Sequence, residues 1–196
     1  MTSPTATHPT NLDPETVRAF VIAGHGNLET VQTMLAETPA LRDAAHEWRP
    51  GDTETALAGA AHVGNAPIAE YLLTEGAPLT IHAAAMLGRR DDVAALLDAS
   101  PELLQAPGAH GIPLLAHAAL SGSAELVADL HGRGAREGVA MALGMAAGRG
   151  DAATVRWLLD NDQPDLAWTN VRGQTALEVA RAAGHDAVVA ALEECS

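Results

Sequence analysis

The feature that most constrains this chain is a glycine that recurs six times with the same kinds of neighbour around it. Successive copies are separated by 38, 24, 34, 28 and 34 residues. An apolar residue stands eight positions after each glycine, and an alanine or isoleucine stands four positions before it. These two fixed positions around each glycine predict a left-handed turn between two short helices at each copy. They also place small residues where helices approach closely. The glycines are Gly26, Gly64, Gly88, Gly122, Gly150 and Gly184.

The clearest copy of the unit spans residues 173–192. Thr175 is placed to cap a first helix, and Gly184 follows at its end as the turn residue. Val188 and Leu192 then belong to the apolar stripe of a second helix. Two short helices packed back to back are therefore predicted, and each pair can bury its apolar face only against the next pair.

The unequal spacing predicts two kinds of connection between successive pairs. Long spacings leave room for extended loops, here called fingers, at residues 38–53, 99–111 and 162–173. The segments at 76–78 and 134–136 lead almost directly into the next helix. Fingers are therefore expected to alternate with short joints.

The order of features in residues 173–192 resembles the ankyrin repeat, whose period is about 33 residues. Residues 55–58 and 175–178 keep the Thr and Leu of the family's tetrapeptide, while residues 79–82 keep its His as His82. The resemblance implies an all-α, right-handed α-solenoid of about six helix–turn–helix repeats. Ankyrin arrays usually have a finger at every joint, so the finger loops that the spacing leaves out here are a departure from the family. It also implies that His82 forms hydrogen bonds that tie its turn together.

The chain is expected to form one folded unit after a short leader. Residues 1–11 are rich in Thr and Pro and are predicted to be disordered. Asp13 and Pro14 then predict a helix start, and this helix should run to about Ala23. A single ankyrin-repeat domain is predicted over residues 12–195. Its repeats are expected at about 12–47, 48–78, 79–104, 105–135, 136–168 and 169–195.

Composition narrows the classes of partner. The formal net charge is −14 and the chain contains no lysine, which argues against nucleic acid and against anionic membrane surfaces. Aromatic residues make up only 3% of the chain, so the core must be built from close contacts between small side chains. The single Cys195 fits no disulfide, metal or redox spacing, and no signal pattern or long apolar run is present. We therefore expect a cytoplasmic protein without a membrane partner.

The candidate binding surface is the exposed front of the first helices together with the fingers. Outward positions of the second helices are mostly acidic, whereas the front is weakly polar and carries Trp, Arg, Met and His, which are common at protein interfaces. The ankyrin resemblance implies that partners are bound by the fingertips and the inner helix face. The candidate residues are Trp48, Arg49, His62, Met86, Arg89, Arg90, His110, His117, Leu120, Met145, Arg149, Trp168 and Arg172.

A packing role is the alternative for several of these residues. Trp48 and Trp168 occupy matching places in their fingers and are equally able to cover the helices at the finger bases. Met86, Leu120 and Met145 are equally able to belong to the core.

The sequence contains no recognisable catalytic motif. Its nine histidines are scattered, no two have the i, i+4 spacing of a helical metal site, and no nucleophile elbow or phosphate-binding glycine loop is present. We therefore predict a non-catalytic protein–protein interaction module, without cofactor or metal, that binds a protein partner of unknown identity.

Two other functions stay open at this stage. One is a metal-binding protein or enzyme that uses clustered histidines, with His82, His110 and His117 as the candidates. The other is a structural protein that self-associates, although a monomer is expected.

Overall fold

The computed structural model describes residues 12–195, and these residues are mostly α-helical. The predicted disordered leader, residues 1–11, lies outside the described residues. Within this range twelve α-helices follow one another in six pairs, and each turn glycine lies between the two members of a pair. The helices are α1 (Pro14–Gly24), α2 (Leu28–Glu37), α3 (Ala56–Val63), α4 (Ala66–Thr74), α5 (Ile81–Met86), α6 (Arg90–Ala99), α7 (Leu114–Ala119), α8 (Ala124–Gly132), α9 (Val139–Arg149), α10 (Ala152–Asn161), α11 (Ala176–Ala183) and α12 (Asp186–Glu193).

The two helices whose caps are predicted from the sequence, α1 and α11, begin where expected. The Asp13 carboxylate accepts the backbone N–H of Thr16 at 2.9 Å, with Pro14 in the first turn. Thr175 accepts the N–H of Glu178 at 3.2 Å, and the Glu178 carboxylate accepts the N–H of Thr175 at 2.8 Å. This reciprocal capping box satisfies two backbone donors that have no partner inside the helix.

The turn glycines behave alike in five of the six pairs. Gly64, Gly88, Gly122, Gly150 and Gly184 have φ between 69° and 77°, the left-handed region that disfavours a side chain. The prediction of the same turn at Gly26 is wrong. There α1 ends at Gly24, and His25 caps it in a right-handed conformation with φ −76°.

The first helices of successive pairs pack side by side in one row, and each second helix lies against its own partner. Small side chains line the contacts within this row, as the register predicts. The residue four positions before the turn glycine is fully buried in the five pairs after the first, as Ala60, Ala84, Ala118, Ala146 and Ala180. Ile22 holds this position in the first pair and is 45% exposed.

The first finger departs from the all-α prediction, because it contains a β-hairpin. Strand β1 (Ala45–Arg49) pairs antiparallel with β2 (Asp52–Thr55), and a short 3₁₀ helix, Pro39–Asp43, precedes them. An extended connection needs partners for its backbone N–H and C=O groups, and a hairpin supplies them locally. The second finger instead forms two 3₁₀ turns, at Pro101–Leu104 and Ala109–Gly111.

Elements far apart in the chain meet at the front, which is the side of the first helices that faces the fingers. The two fingers touch, because Asp52 Oδ1 accepts the backbone N–H of His110 at 2.9 Å. A Cβ atom built on Gly64 would lie 3.3 Å from Leu120 and 3.5 Å from Arg149. The turn of the second pair therefore lies beside residues of the fourth and fifth pairs.

One buried hydroxyl predicts a stabilising substitution. Thr154 on α10 is fully buried, and its Oγ1 atom has no hydrogen-bond partner among residues 12–195. Because the unpartnered hydroxyl lost its water on burial, Thr154→Val should raise the free energy of unfolding by about 1–2 kcal/mol. Urea denaturation measures this change. The exposed Thr33→Val is the control and should shift stability by less than about 0.5 kcal/mol. A loss of stability in Thr154→Val would contradict the prediction.

Candidate functional site

The front of the molecule holds a buried carboxylate, Glu54, among three imidazoles. Glu54 is only 1% exposed and lies on β2, one residue before the Thr55 cap of α3. His25 caps α1, His62 lies in the last turn of α3, and His110 belongs to the second finger. We call His25, Glu54, His62 and His110 the histidine–glutamate cluster. Its members come from three separate stretches of chain.

Three imidazoles and one indole converge on the two oxygens of Glu54. His25 Nε2 and His62 Nδ1 lie 3.3 Å and 3.1 Å from Oε1, and His110 Nε2 lies 3.5 Å from Oε2. The indole N–H of Trp48 donates to Oε2 at 2.6 Å. Neither imidazole contact to Oε1 has hydrogen-bond geometry, so this oxygen is buried without a hydrogen-bond partner among the described residues.

Two rings of the cluster, those of His25 and His110, are fixed by oxygen atoms that contact their Nδ1 atoms. His25 Nδ1 lies 3.0 Å from the carbonyl oxygen of Val21, and His110 Nδ1 lies 3.1 Å from Asp52 Oδ2. Gly59 leaves room for this arrangement, because a Cβ atom there would lie 3.0 Å from the His25 ring. The rings of His25 and His110 are therefore held in fixed orientations by the protein itself.

The neighbouring groups keep Glu54 ionised. Burial raises the pKa of Glu54, but the imidazoles of His25 and His62 and the indole N–H of Trp48 outweigh burial and leave this pKa well below its ordinary value. In turn, the Glu54 carboxylate raises the pKa of His25, and burial opposes this effect. The side-chain contact with His110 lowers the pKa of Asp52.

The alternative grouping of His82, His110 and His117 is wrong. His82 and His117 contact each other, with ring centroids 4.8 Å apart, whereas His110 joins the histidine–glutamate cluster. His82 Nε2 lies 3.0 Å from the Ala106 carbonyl oxygen and so ties the second finger to α5. Burial lowers the pKa of His117 to about 3, which keeps this ring neutral.

An apolar groove of about 660 Å³ lies beside the cluster. It runs between α3, α9, α11 and the third finger, and His62 and His110 form part of its wall. Val171 at its edge is fully exposed. The groove and the histidine–glutamate cluster are therefore neighbouring parts of one front surface. The apolar groove is lined mainly by Val63, Ile112, Met141, Met145, Trp168 and Val179.

Four of the predicted partner-binding residues border this groove: His62, His110, Met145 and Trp168. Trp48 lies at the cluster, with the Arg18 guanidinium 5.9 Å from its ring centroid.

Three other predicted residues are not exposed. Met86, His117 and Leu120 are 3%, 1% and 8% exposed, so the expectation of an exposed front is wrong for them. Met86 lies on α5, His117 lies on α7 and Leu120 follows the end of α7. These helices are in the middle of the row, where neighbouring helices cover them on both sides. Self-association through Met86 and Leu120 loses its basis for the same reason.

Most of the predicted arginines contact carboxylates. Arg89 pairs with Glu70 and Arg90 pairs with Asp129, each on a neighbouring second helix. Arg49 lies 3.1 Å from Asp52. The last two, Arg149 and Arg172, are exposed.

Sequence reasoning missed Glu54 and His25 as site residues. One usable signal was present, because His25 stands one residue before Gly26 and His62 stands two residues before Gly64. Near-equivalent positions in successive pairs become neighbours when the pairs pack side by side. No comparable signal marks Glu54.

No protein-family model matches this chain, and no curated protein matches it. Among the described helices, none combines the length and the apolar character needed to span a bilayer.

Proposed function

We propose that the protein is a non-catalytic binding module of the ankyrin type, and that it holds an apolar segment of a partner protein in the groove. Six helix pairs in one row, threonine caps at Thr55, Thr80 and Thr175, and left-handed turn glycines support a right-handed ankyrin-like α-solenoid. The observation that carries the binding proposal is the apolar groove. A monomer in the cytoplasm is the expected setting, in keeping with a single cysteine.

The shape and chemistry of the groove favour a polypeptide segment. Its volume of about 660 Å³ holds a few side chains, and its walls include Trp168 and two methionines, which adapt to apolar partners. Val171 extends the apolar surface beyond the cavity to its open edge. A segment that crosses this edge would cover an exposed apolar residue that otherwise faces water.

Charge around the groove suggests what should flank the apolar side chains. Arg149 lies beside Gly64, the residue after Val63 of the groove wall, and Arg172 follows Val171 in the chain. The chain as a whole is acidic, with a formal net charge of −14. We therefore propose a segment with bulky aliphatic side chains and an acidic residue near them, which the two arginines would attract.

Peptide display tests this function. The full chain, kept in chelator so that no metal contributes, is used to select binders from a random peptide library. Selected peptides should be rich in bulky aliphatic residues and should change the fluorescence of Trp168, assigned with Trp168→Phe. Val171→Asp and Val63→Asp should weaken binding by about tenfold or more, which is about 1.4 kcal/mol.

Ile22→Asp is the matched control. Ile22 and Val63 are 45% and 44% exposed, but only Val63 borders the groove. Ile22→Asp should therefore leave peptide affinity unchanged. Equal effects of the three substitutions, or a library that yields no aliphatic binders, would overturn the proposed function. A small apolar dye that binds while peptides do not would reassign the groove to small molecules.

A further inference from the structure

We infer that His25, His62, His110 and Glu54 form a binding site for a divalent transition-metal ion, and that this ion is zinc. One ligand atom from each of these side chains lies within 4.8 Å of all the others. The site goes beyond the proposed binding of a partner segment and does not depend on it. Its support comes from the direction of the lone pairs, from unsatisfied buried atoms and from backbone strain.

The free nitrogens of two rings are directed at Glu54. His25 Nδ1 lies 3.0 Å from the Val21 carbonyl oxygen, which can only accept, so Nδ1 carries the hydrogen in the neutral ring. His110 Nδ1 faces the Asp52 carboxylate at 3.1 Å and is assigned the hydrogen for the same reason. The Nε2 atom of each ring therefore presents a lone pair toward the carboxylate of Glu54.

Lone pairs that face a carboxylate at such distances need a positive charge between them. Glu54 Oε1 and His62 Nδ1 are both buried and have no hydrogen-bond partner among the described residues. A proton on one ring would satisfy one of these contacts. A shared cation would satisfy all of them at once, which is why the geometry favours a metal ion over a purely structural role.

The distances match those expected around zinc. Ligand atoms about 2.0–2.1 Å from a tetrahedral zinc ion lie about 3.3 Å from one another. The contacts to Glu54 Oε1 measure 3.1 Å from His62 and 3.3 Å from His25, whereas His110 Nε2 lies 3.5 Å from the other oxygen, Oε2. The widest separation in the group, up to 4.8 Å, has to shorten on binding. Imidazole nitrogens with one carboxylate are ligands that zinc prefers, and four protein ligands are typical of a structural site.

The surroundings resemble the support that metal ligands receive in proteins. A carbonyl group holds His25, a carboxylate holds His110, and the Trp48 N–H holds Glu54 at 2.6 Å. His110 is also the one residue other than glycine with positive φ in the described part of the chain, at 59°. Such backbone conformations persist where the surrounding structure enforces them, often at functional sites. A bound ion would tie the second finger to the first two helix pairs.

Metal titration of the full chain tests this site. The protein, carrying Cys195→Ser to exclude the thiol, is freed of metal with chelator and titrated calorimetrically with zinc chloride. We expect one ion per chain with a dissociation constant on the order of 1 µM or tighter. Zinc should raise the melting temperature by on the order of 5 °C. Co²⁺ should give the intense visible bands of a tetrahedral complex.

Matched variants locate the ion. His110→Asn removes a ligand while keeping a residue type that accepts positive φ, and it should weaken zinc binding by about 100-fold or more. Asp52→Asn, which changes the group behind His110, should weaken binding by about tenfold. His185→Gln, at the far end of the row, should bind zinc as the parent does.

Three results would overturn the inference: calorimetry without stoichiometric binding, unchanged affinity in His110→Asn, or a weak octahedral Co²⁺ spectrum. Histidine NMR signals give a check that needs no variant. Zinc should shift the signals of His25, His62 and His110 and leave that of His185 in place. Because peptide binding is measured in chelator, failure of the metal site and failure of the proposed function are distinguishable.

Discussion

The free energy of unfolding of the metal-free protein should fall by about 4 kcal/mol between pH 7 and pH 3 because of His117 alone. His117 is 1% exposed, and burial lowers its pKa from 6.5 to about 3. The nearby rings of His82 and His62 act in the same direction. The ring is therefore neutral in the folded protein until the pH approaches 3.

Stability falls on acidification because the unfolded chain binds a proton at His117 at a higher pH than the folded protein does. Below pH 6.5 the unfolded chain takes up a proton at His117, and the folded protein does not until the pH approaches 3. Acidification therefore favours unfolding, by about 1.4 kcal/mol per pH unit within this window. The contribution of His117 is fully present above pH 6.5. His82, whose pKa is also lowered, adds to the same trend.

Two measurements test the effect of His117. The His117 ring signal in NMR spectra recorded in chelator should not titrate above about pH 4 while the protein stays folded. The stability of His117→Gln, followed by urea denaturation at several pH values, should depend less steeply on pH than that of the parent. A His117 signal that titrates near pH 6.5 would contradict the prediction, whether or not the variant folds.

Gly24→Ala should destabilise the protein by about 1–3 kcal/mol, the usual cost of inserting a methyl group into a packed core. A Cβ atom at Gly24 would lie 2.6 Å from the carbonyl oxygen of Ala56 and 2.8 Å from its Cα atom. These are backbone atoms, so a helix has to move rather than a side chain. The gain of helix propensity, about 1 kcal/mol from glycine to alanine, is too small to offset this shift.

Gly26→Ala is the control for Gly24→Ala. Nothing lies within 4 Å of a Cβ atom at Gly26, and its φ is outside the left-handed region. Its substitution should change stability by less than about 0.5 kcal/mol. Urea denaturation of the two variants under identical conditions compares them. Equal stability would mean that α1 and α3 are not in close backbone contact.

Local patterns in the sequence were enough to predict the helix pairs. The cap at Asp13 and the turn glycines each act within a few residues of chain. Such short-range chemistry is visible in a single sequence, because propensity, capping and periodicity need no distant partner. The same reasoning placed the turn at Gly26 in the wrong conformation, since a helix can also end there through a right-handed cap.

The candidate site could be predicted only in part. His62, His110, Met145 and Trp168 were singled out, and the structure places them at one groove. Met86 and Leu120 occupy comparable positions in the sequence but are buried. A single repeat does not reveal how far neighbouring helices cover one another, and this packing decides which residues of the first helices remain exposed.

The sequence by itself determined that this protein is built of short helix pairs, because caps and turn glycines act among near neighbours in the chain. Only the tertiary structure decided that Glu54 is buried beneath His25, His62 and His110. These residues lie on three stretches of chain that meet because the first finger touches the second. The short connection between the second and third helix pairs carries no finger that would separate them. Contacts of that kind depend on how successive pairs are stacked, and no local pattern of residues encodes them.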